Sequence, residues 1–176
     1  MSTVKTAGAT CAAPRIIRSQ LTAFTYGSVN PKDVAHLSGL DFFEGMARGE
    51  YPAPPIGKTL NFNLVEAEHG RAVFEGTPLR EFYNPIGSIH GSYAAALLDS
   101  CMGCAVHTTM AAGQAYTTLE YKISLLRGMT DKTGKVTAEG RVMQVGRRVA
   151  TAEGWLRDAD GKLLAHGTTT CLVFEV

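Results

Sequence analysis

From Tyr93 to Val106 the chain is Tyr, Ala, Leu, Met, Cys, Gly and Val, with only Asp99 and Ser100 polar. This predicts a long helix from about Gly91 to Met110, apolar nearly all round, which must be enclosed rather than laid on a surface. The pattern then changes period. In Thr118–Leu125, Leu119, Tyr121, Ile123 and Leu125 alternate with Thr118, Glu120, Lys122 and Ser124, a strand with the first set buried and the second wet. Val136–Val145 alternates more loosely, and Gly146-Arg147-Arg148 turns it into Val149–Arg157. Asp158-Ala159-Asp160-Gly161 is a turn before Lys162–Val173. Upstream, Thr59–Ala67 and Arg71–Thr77 flank His69-Gly70 as a hairpin. Residues Ala35 to Arg48 carry Leu37, Leu40, Phe43 and Met46 or Ala47 at helical spacing, and the prolines of Tyr51-Pro52-Ala53-Pro54-Pro55 end that helix.

Strands in succession after one helix argue for an α+β domain with an antiparallel sheet of about six strands. Because the central helix needs enclosure, the sheet should curl around it. This domain spans residues 37–176. Residues 1–36 have no clear periodicity and read as a peripheral or partly disordered arm.

Composition narrows the class of protein. At 176 residues the chain is long enough for one domain with a real core and too short for two. A net charge of +1 brings no basic excess for a nucleic-acid partner, and the longest apolar run is too interrupted to span a membrane. Cys11, Cys101, Cys104 and Cys171 are scattered, with no secretory leader before them, which fits a reducing, cytoplasmic setting. Cys101 and Cys104 form a CxxC, but no second Cys pair or Cys/His cluster has zinc spacing, so they read as small packing residues and no metal is expected.

The chemistry centres on Asp99, since a carboxylate among apolar residues is costly unless it is partnered. Alone it reads as a structural acid. Nearby, Gly91 sits where the helix begins, and its N–H is one of the orphan donors at the positive helix end. Such a donor suits an oxygen that gains negative charge in acyl transfer, and a carboxylate suits a general base or nucleophile. Eight residues on one helix separate the two by roughly 12 Å along the axis. A reacting carbonyl needs both within about 3–3.5 Å. One chain cannot supply both, whereas two antiparallel helices related by a two-fold axis can, so the pair predicts a homodimer.

The segment Asn84-x5-His90-Gly91-x7-Asp99 resembles the signature of PaaI-like hotdog thioesterases, which hydrolyse acyl-CoA. Thr118-Leu-Glu-Tyr-Lys-Ile-Ser-Leu-Leu-Arg127, Gly134–Gly140, Val145–Arg148 and Asp160–His166 are similar to the strands that follow in that family. The resemblance runs from about Thr59 to the C-terminus. It implies the hotdog fold and an acyl-CoA substrate, with no metal or organic cofactor, and a homodimer that pairs into a homotetramer. It implies that Asp99 is the general base or nucleophile and that the Gly91 N–H polarises the thioester carbonyl. His90 would shape that turn, and Asn84 would position water or carbonyl from the Gly91 subunit. Thr118 would stand near the acid, with Thr117 a second candidate because the preceding loop, Ala111–Tyr116, is shifted. Ser92 stands where the family commonly has Gly and is expected to cap the helix or narrow the acyl pocket. Arg147 and Arg148 are expected either to hold CoA phosphates or to be a solvated turn pair. Two alternatives stay open: a non-catalytic acyl-CoA sensor, and a hydratase or dehydratase, which would need a His–acid pair at the α/β carbons.

Overall fold

The computed structural model describes residues 25–176. Most of the expected arm, residues 1–24 with Cys11, lies outside them. The described part of the arm carries a short helix, α1 (Pro31–Val34), capped by Asn30, and a bridge from Tyr26 to Ala53. The helix expected from Ala35 begins instead at Gly39. Ser38 takes the cap, its side chain accepting from the Asp41 N–H, and α2 (Gly39–Arg48) ends on Gly49 at φ 81°. The proline run does not stay irregular. Pro55 fits the first position of a helix, and α3 (Pro55–Thr59) forms there.

Among the described residues the sheet has six strands, β1 (Phe62–Glu68), β2 (Arg71–Gly76), β3 (Gln114–Leu125), β4 (Val136–Val145), β5 (Val149–Asp158) and β6 (Leu163–Glu175). Every pairing is antiparallel, in the order β1-β2-β4-β5-β6-β3. The sheet curls about α4 (Gly91–His107), as the enclosed-helix reading requires. Tyr93, Leu97, Leu98, Cys101, Met102, Ala105 and Val106 are all at most 1% exposed. Helix and sheet meet closely because β4 and β5 carry Gly140 and Gly154 opposite Cys101 and Met102. No helix is long and apolar enough to cross a membrane among the described residues.

One edge of the sheet is β3, with β1 at the other, and in β3 the expected alternation is corrected. The register slips between Thr118 and Glu120, so Leu119 is an extra, bulged residue. A bulge inverts parity. Thr118 pairs with the fully buried Cys171, while Tyr121 pairs with the buried Thr169. Thr118, Tyr121, Ile123 and Leu125 therefore share the helix-facing side, and Thr118 is not on the wet face. Leu119, Tyr121 and Leu125, expected to be buried, are 57%, 47% and 58% exposed, because beyond β3 nothing among the described residues covers them.

At its far end α4 delivers His107 into a ring of aromatics, with centroids 5.2 Å from Phe43, 5.7 Å from Tyr116 and 5.9 Å from Phe42. Its Nδ1 is buried with no hydrogen-bond partner among the described residues, and burial lowers its pKa to about 4 from the ordinary 6.5. The unfolded chain thus binds a proton that the folded chain refuses. The contribution of His107 to stability is complete above about pH 6.5 and is lost as pH falls toward 4, a loss of up to about 3 kcal/mol. Thermal melts across that window are expected to show falling stability, and His107→Leu is expected to remove this part of the slope.

Candidate active site

Asp99 occupies the middle of α4, half-buried, and it is partnered. The Thr118 hydroxyl donates to its Oδ1 at 3.0 Å. The bulge at Leu119 is what lets Thr118 do this with Tyr121 and Ile123 still facing inward. Thr117 pairs with Leu172 and, one residue from Thr118 along the strand, points to the opposite face, so it does not reach the acid. Around this pair stand Cys171, which shares a hydrogen bond with Thr118, and Cys104 and Tyr116, whose pKa values the Asp99 charge helps to raise. Burial is the main cause for both, and it pushes the Cys104 thiol up to about 12. These groups stay protonated and neutral beside the carboxylate.

The other end of the helix is built by His90. Its backbone is extended (φ −61°, ψ 138°), and its ring Nδ1 accepts from the Ser92 N–H at 3.1 Å. The same Nδ1 lies 2.7 Å from the Ser92 hydroxyl, which donates to it. The His90 carbonyl accepts from the Tyr93 N–H at 3.0 Å. His90 is therefore the cap, and Ser92 is the capped residue rather than the cap expected for it. Two of the first three amides of the helix are satisfied by His90. The Gly91 N–H has no acceptor among the described residues and remains the available donor.

Gly91 opens onto a groove of about 250 Å³ that it shares with Asn84, Ser88 and the stretch Leu125–Met129. A Cβ at Gly91 would stand 2.6 Å from the Leu125 side chain, so only glycine gives this approach without moving Leu125. Asn84 organises the groove's rim. Its Oδ1 accepts from the Ile86 and Ser88 N–H groups, each at 3.1 Å, and its Nδ2 donates to the Ser88 hydroxyl at 2.9 Å. Ser88 and Leu125 had no signal in the motif reading. Ser88 was legible only as the residue four beyond an Asn in a turn, and Leu125 only as the last inward position of β3.

The structure thus makes two half-sites: Asp99 with Thr118, and Gly91 with Asn84. They are not joined within one chain, since they are eight residues apart on α4, roughly 12 Å. Arg147 and Arg148 lie apart from both, exposed on the β4–β5 turn beside a recess of about 320 Å³. The Arg148 carbonyl accepts from the Val173 N–H at 2.9 Å, and Val173 pairs with Tyr116. The turn is therefore two strands, or roughly 10 Å, from the β3 end that carries Thr117 and Thr118.

The chain matches the thioesterase superfamily over residues 86–165, which include Gly91, Asp99 and Thr118. A phenylacetic acid degradation-related protein from Ralstonia eutropha JMP134 shares 31% identity, covering 74% of this chain and 98% of its own, with a TM-score of 0.68. The chain belongs to the PaaI-like hotdog thioesterase family. Among the curated relatives of this hotdog protein, one from Saccharolobus solfataricus, provisionally named an esterase, is 36% identical over 111 residues. That match covers 63% of this chain and 77% of the relative. A variant of the phenylacetic acid degradation protein PaaI from Thermus thermophilus is 25% identical, with a TM-score of 0.61 over 67% of this chain and 97% of that one.

Proposed function

We propose that this hotdog protein hydrolyses acyl-CoA thioesters at a site assembled from two copies of the chain. The observation that carries the reading is the separation of its two half-sites on one helix, each chemically incomplete alone. Asp99 with Thr118 can activate an attacking group, and Gly91 with Asn84 can bind the oxygen that becomes negative. A partner with the same surface would join them by a two-fold axis, and β3 offers the place, as an edge strand with inward apolar residues that nothing among the described residues covers. Two such dimers would make the homotetramer implied by the family.

In the general-base route, Asp99 takes a proton from water and the water oxygen attacks the thioester carbon. The oxyanion accepts from the Gly91 N–H of the partner subunit, with Asn84 of the partner subunit beside it. Collapse breaks the C–S bond, and the CoA thiolate leaves to be protonated. In the nucleophilic route, Asp99 attacks first and water cleaves the resulting anhydride. In both routes Thr118 holds the carboxylate in place. Neither route needs a metal or an organic cofactor. Arg147 and Arg148 supply the positive charge for the phosphates of CoA. His90 caps α4 through Nδ1, which supports a structural role for it in this reading.

The test is release of free CoA thiol from acyl-CoA by the purified protein, read with a thiol reagent. Binding of acyl-CoA with no release would establish the sensor instead. Thr118→Val is expected to lower kcat by about 10-fold or more with little change in KM, since it acts through Asp99. Thr117→Val should change neither, and equal effects of the two would remove the role given to Thr118.

A further inference from the structure

Asp99 belongs to a line of open positions on α4. Ser92, Ala95, Ala96, Asp99 and Ser100 are exposed or half-buried, at the spacing of one helix face. The next position beyond Asp99 on that face, Gly103, is buried. Tyr116 is what covers it: a Cβ at Gly103 would stand 2.7 Å from the Tyr116 hydroxyl oxygen and 3.0 Å from its ring Cε2. Tyr116 comes from β3, two residues before Thr118 and on the same helix-facing side. It therefore stands beside the Asp99–Thr118 pair, one helical turn on. Its hydroxyl meets the Cys104 thiol, and the Asp99 charge reaches it. His107 packs on the ring, with centroids 5.7 Å apart. The same ring is also a wall of a recess of about 220 Å³, which Val34, Leu37, Phe42 and His107 help to line.

We propose that Tyr116 closes the acyl end of the site and sets the chain length it accepts, making the protein selective for short aliphatic acyl groups. The inference rests on the hydrolase reading above. In that two-copy site Gly91 of the partner subunit lies against Asp99, so the two-fold axis crosses α4 near Ala95, midway between the two positions. That side of Asp99 leads to the twin site, and the other side leads to Tyr116. The arm of CoA carries phosphates and has to reach water, which an apolar end closed by an aromatic ring does not offer. The acyl group is the part of the substrate that can end there. From Asp99 to Gly103 is roughly 6 Å along the axis, and a thioester carbon held within about 3.5 Å of the carboxylate leaves space for only a few more carbons. A longer tail has to displace a ring fixed by Gly103, Cys104 and His107. Beyond the ring the recess exceeds the roughly 150 Å³ of an apolar cavity that holds benzene. Space for a long tail thus exists, and Tyr116 divides it from Asp99.

The experiment compares kcat/KM for butyryl-CoA and decanoyl-CoA in the unaltered protein, Tyr116→Leu and Tyr116→Phe. The unaltered protein is expected to favour butyryl-CoA by about 10-fold or more, the scale on which an apolar pocket discriminates. In Tyr116→Leu, which removes the ring and keeps an apolar residue, the butyryl-to-decanoyl ratio should fall by about 10-fold or more. Tyr116→Phe should keep the original ranking, since the ring and not the hydroxyl is the wall. Equal turnover of the two esters by the unaltered protein would overturn the proposal without any variant, so a folding defect in Tyr116→Leu leaves it testable. An unchanged ratio in Tyr116→Leu, or an equal loss on both esters, would also overturn it and leave the hydrolase reading standing. No thiol release from either ester by the unaltered protein would overturn both.

Discussion

Asp99→Asn is expected to lower the rate of acyl-CoA hydrolysis by about 10²–10⁴-fold, the range for loss of a positioned general base, and by at least as much if Asp99 is the nucleophile. Asparagine keeps the shape of the side chain, and its carbonyl oxygen can still accept the Thr118 hydroxyl that now bonds Oδ1 at 3.0 Å. What it cannot do is take a proton from water. Folding and assembly should therefore be unchanged, and KM should move little. Full activity in the variant would remove Asp99 from the mechanism. A sharper form of the experiment uses two defective chains. Gly91→Val places a side chain against Leu125 and closes the oxyanion position. If each site takes Asp99 from one chain and Gly91 from the other, coexpressing the two variants restores one good site per mixed dimer. Random pairing then returns roughly a quarter of full activity. A site contained in one chain would return none.

Gly140→Ala is expected to damage the fold strongly. Gly140 lies in β4, paired to Ala72 and Gly154, at the line where the sheet meets the backbone of α4. A Cβ there would run into the Cys101 carbonyl and come within 2.7 Å of the Met102 nitrogen. Those are main-chain atoms of a buried helix and have no rotamer to change. The sheet or the helix has to move, at a cost of about 3 kcal/mol or more, and the melting temperature should fall by roughly 10 °C. Gly128→Ala, with nothing within 4 Å of its added carbon, should melt like the unaltered protein. A matching loss at both positions would show that the close packing on Cys101 is not the cause.

The architecture was legible because its strongest signals are long ones. An apolar run of more than a dozen residues and four successive strands leave few ways to bury the helix, and all six strands lie close to where the alternation places them. The errors fell where one residue decides. The bulge at Leu119 has no mark in a sequence that alternates cleanly through it, yet it decides that Thr118 and not Thr117 meets Asp99. Burial of Tyr121 and Leu125 was misjudged for a different reason. Their direction was right, but exposure depends on what lies beyond the strand, and alternation carries no information about that. At the candidate site, the residue types and their spacing on α4 pointed to two incomplete halves. The capping by His90 was not legible, because histidine competes poorly with Ser92 in any propensity reading.

The unpaired edge of β3 has a consequence for how the protein behaves in dilute solution. Twelve residues of strand whose outer side pairs with nothing among the described residues are an open template, and a chain that has not met its twin can be matched by any other exposed strand. If the half-sites close only across that pairing, output rises with the square of the amount of protein while dimers are scarce, and in direct proportion once they are not. Halving the protein would then cost up to three quarters of the turnover, so the amount of chain present sets how well each copy works.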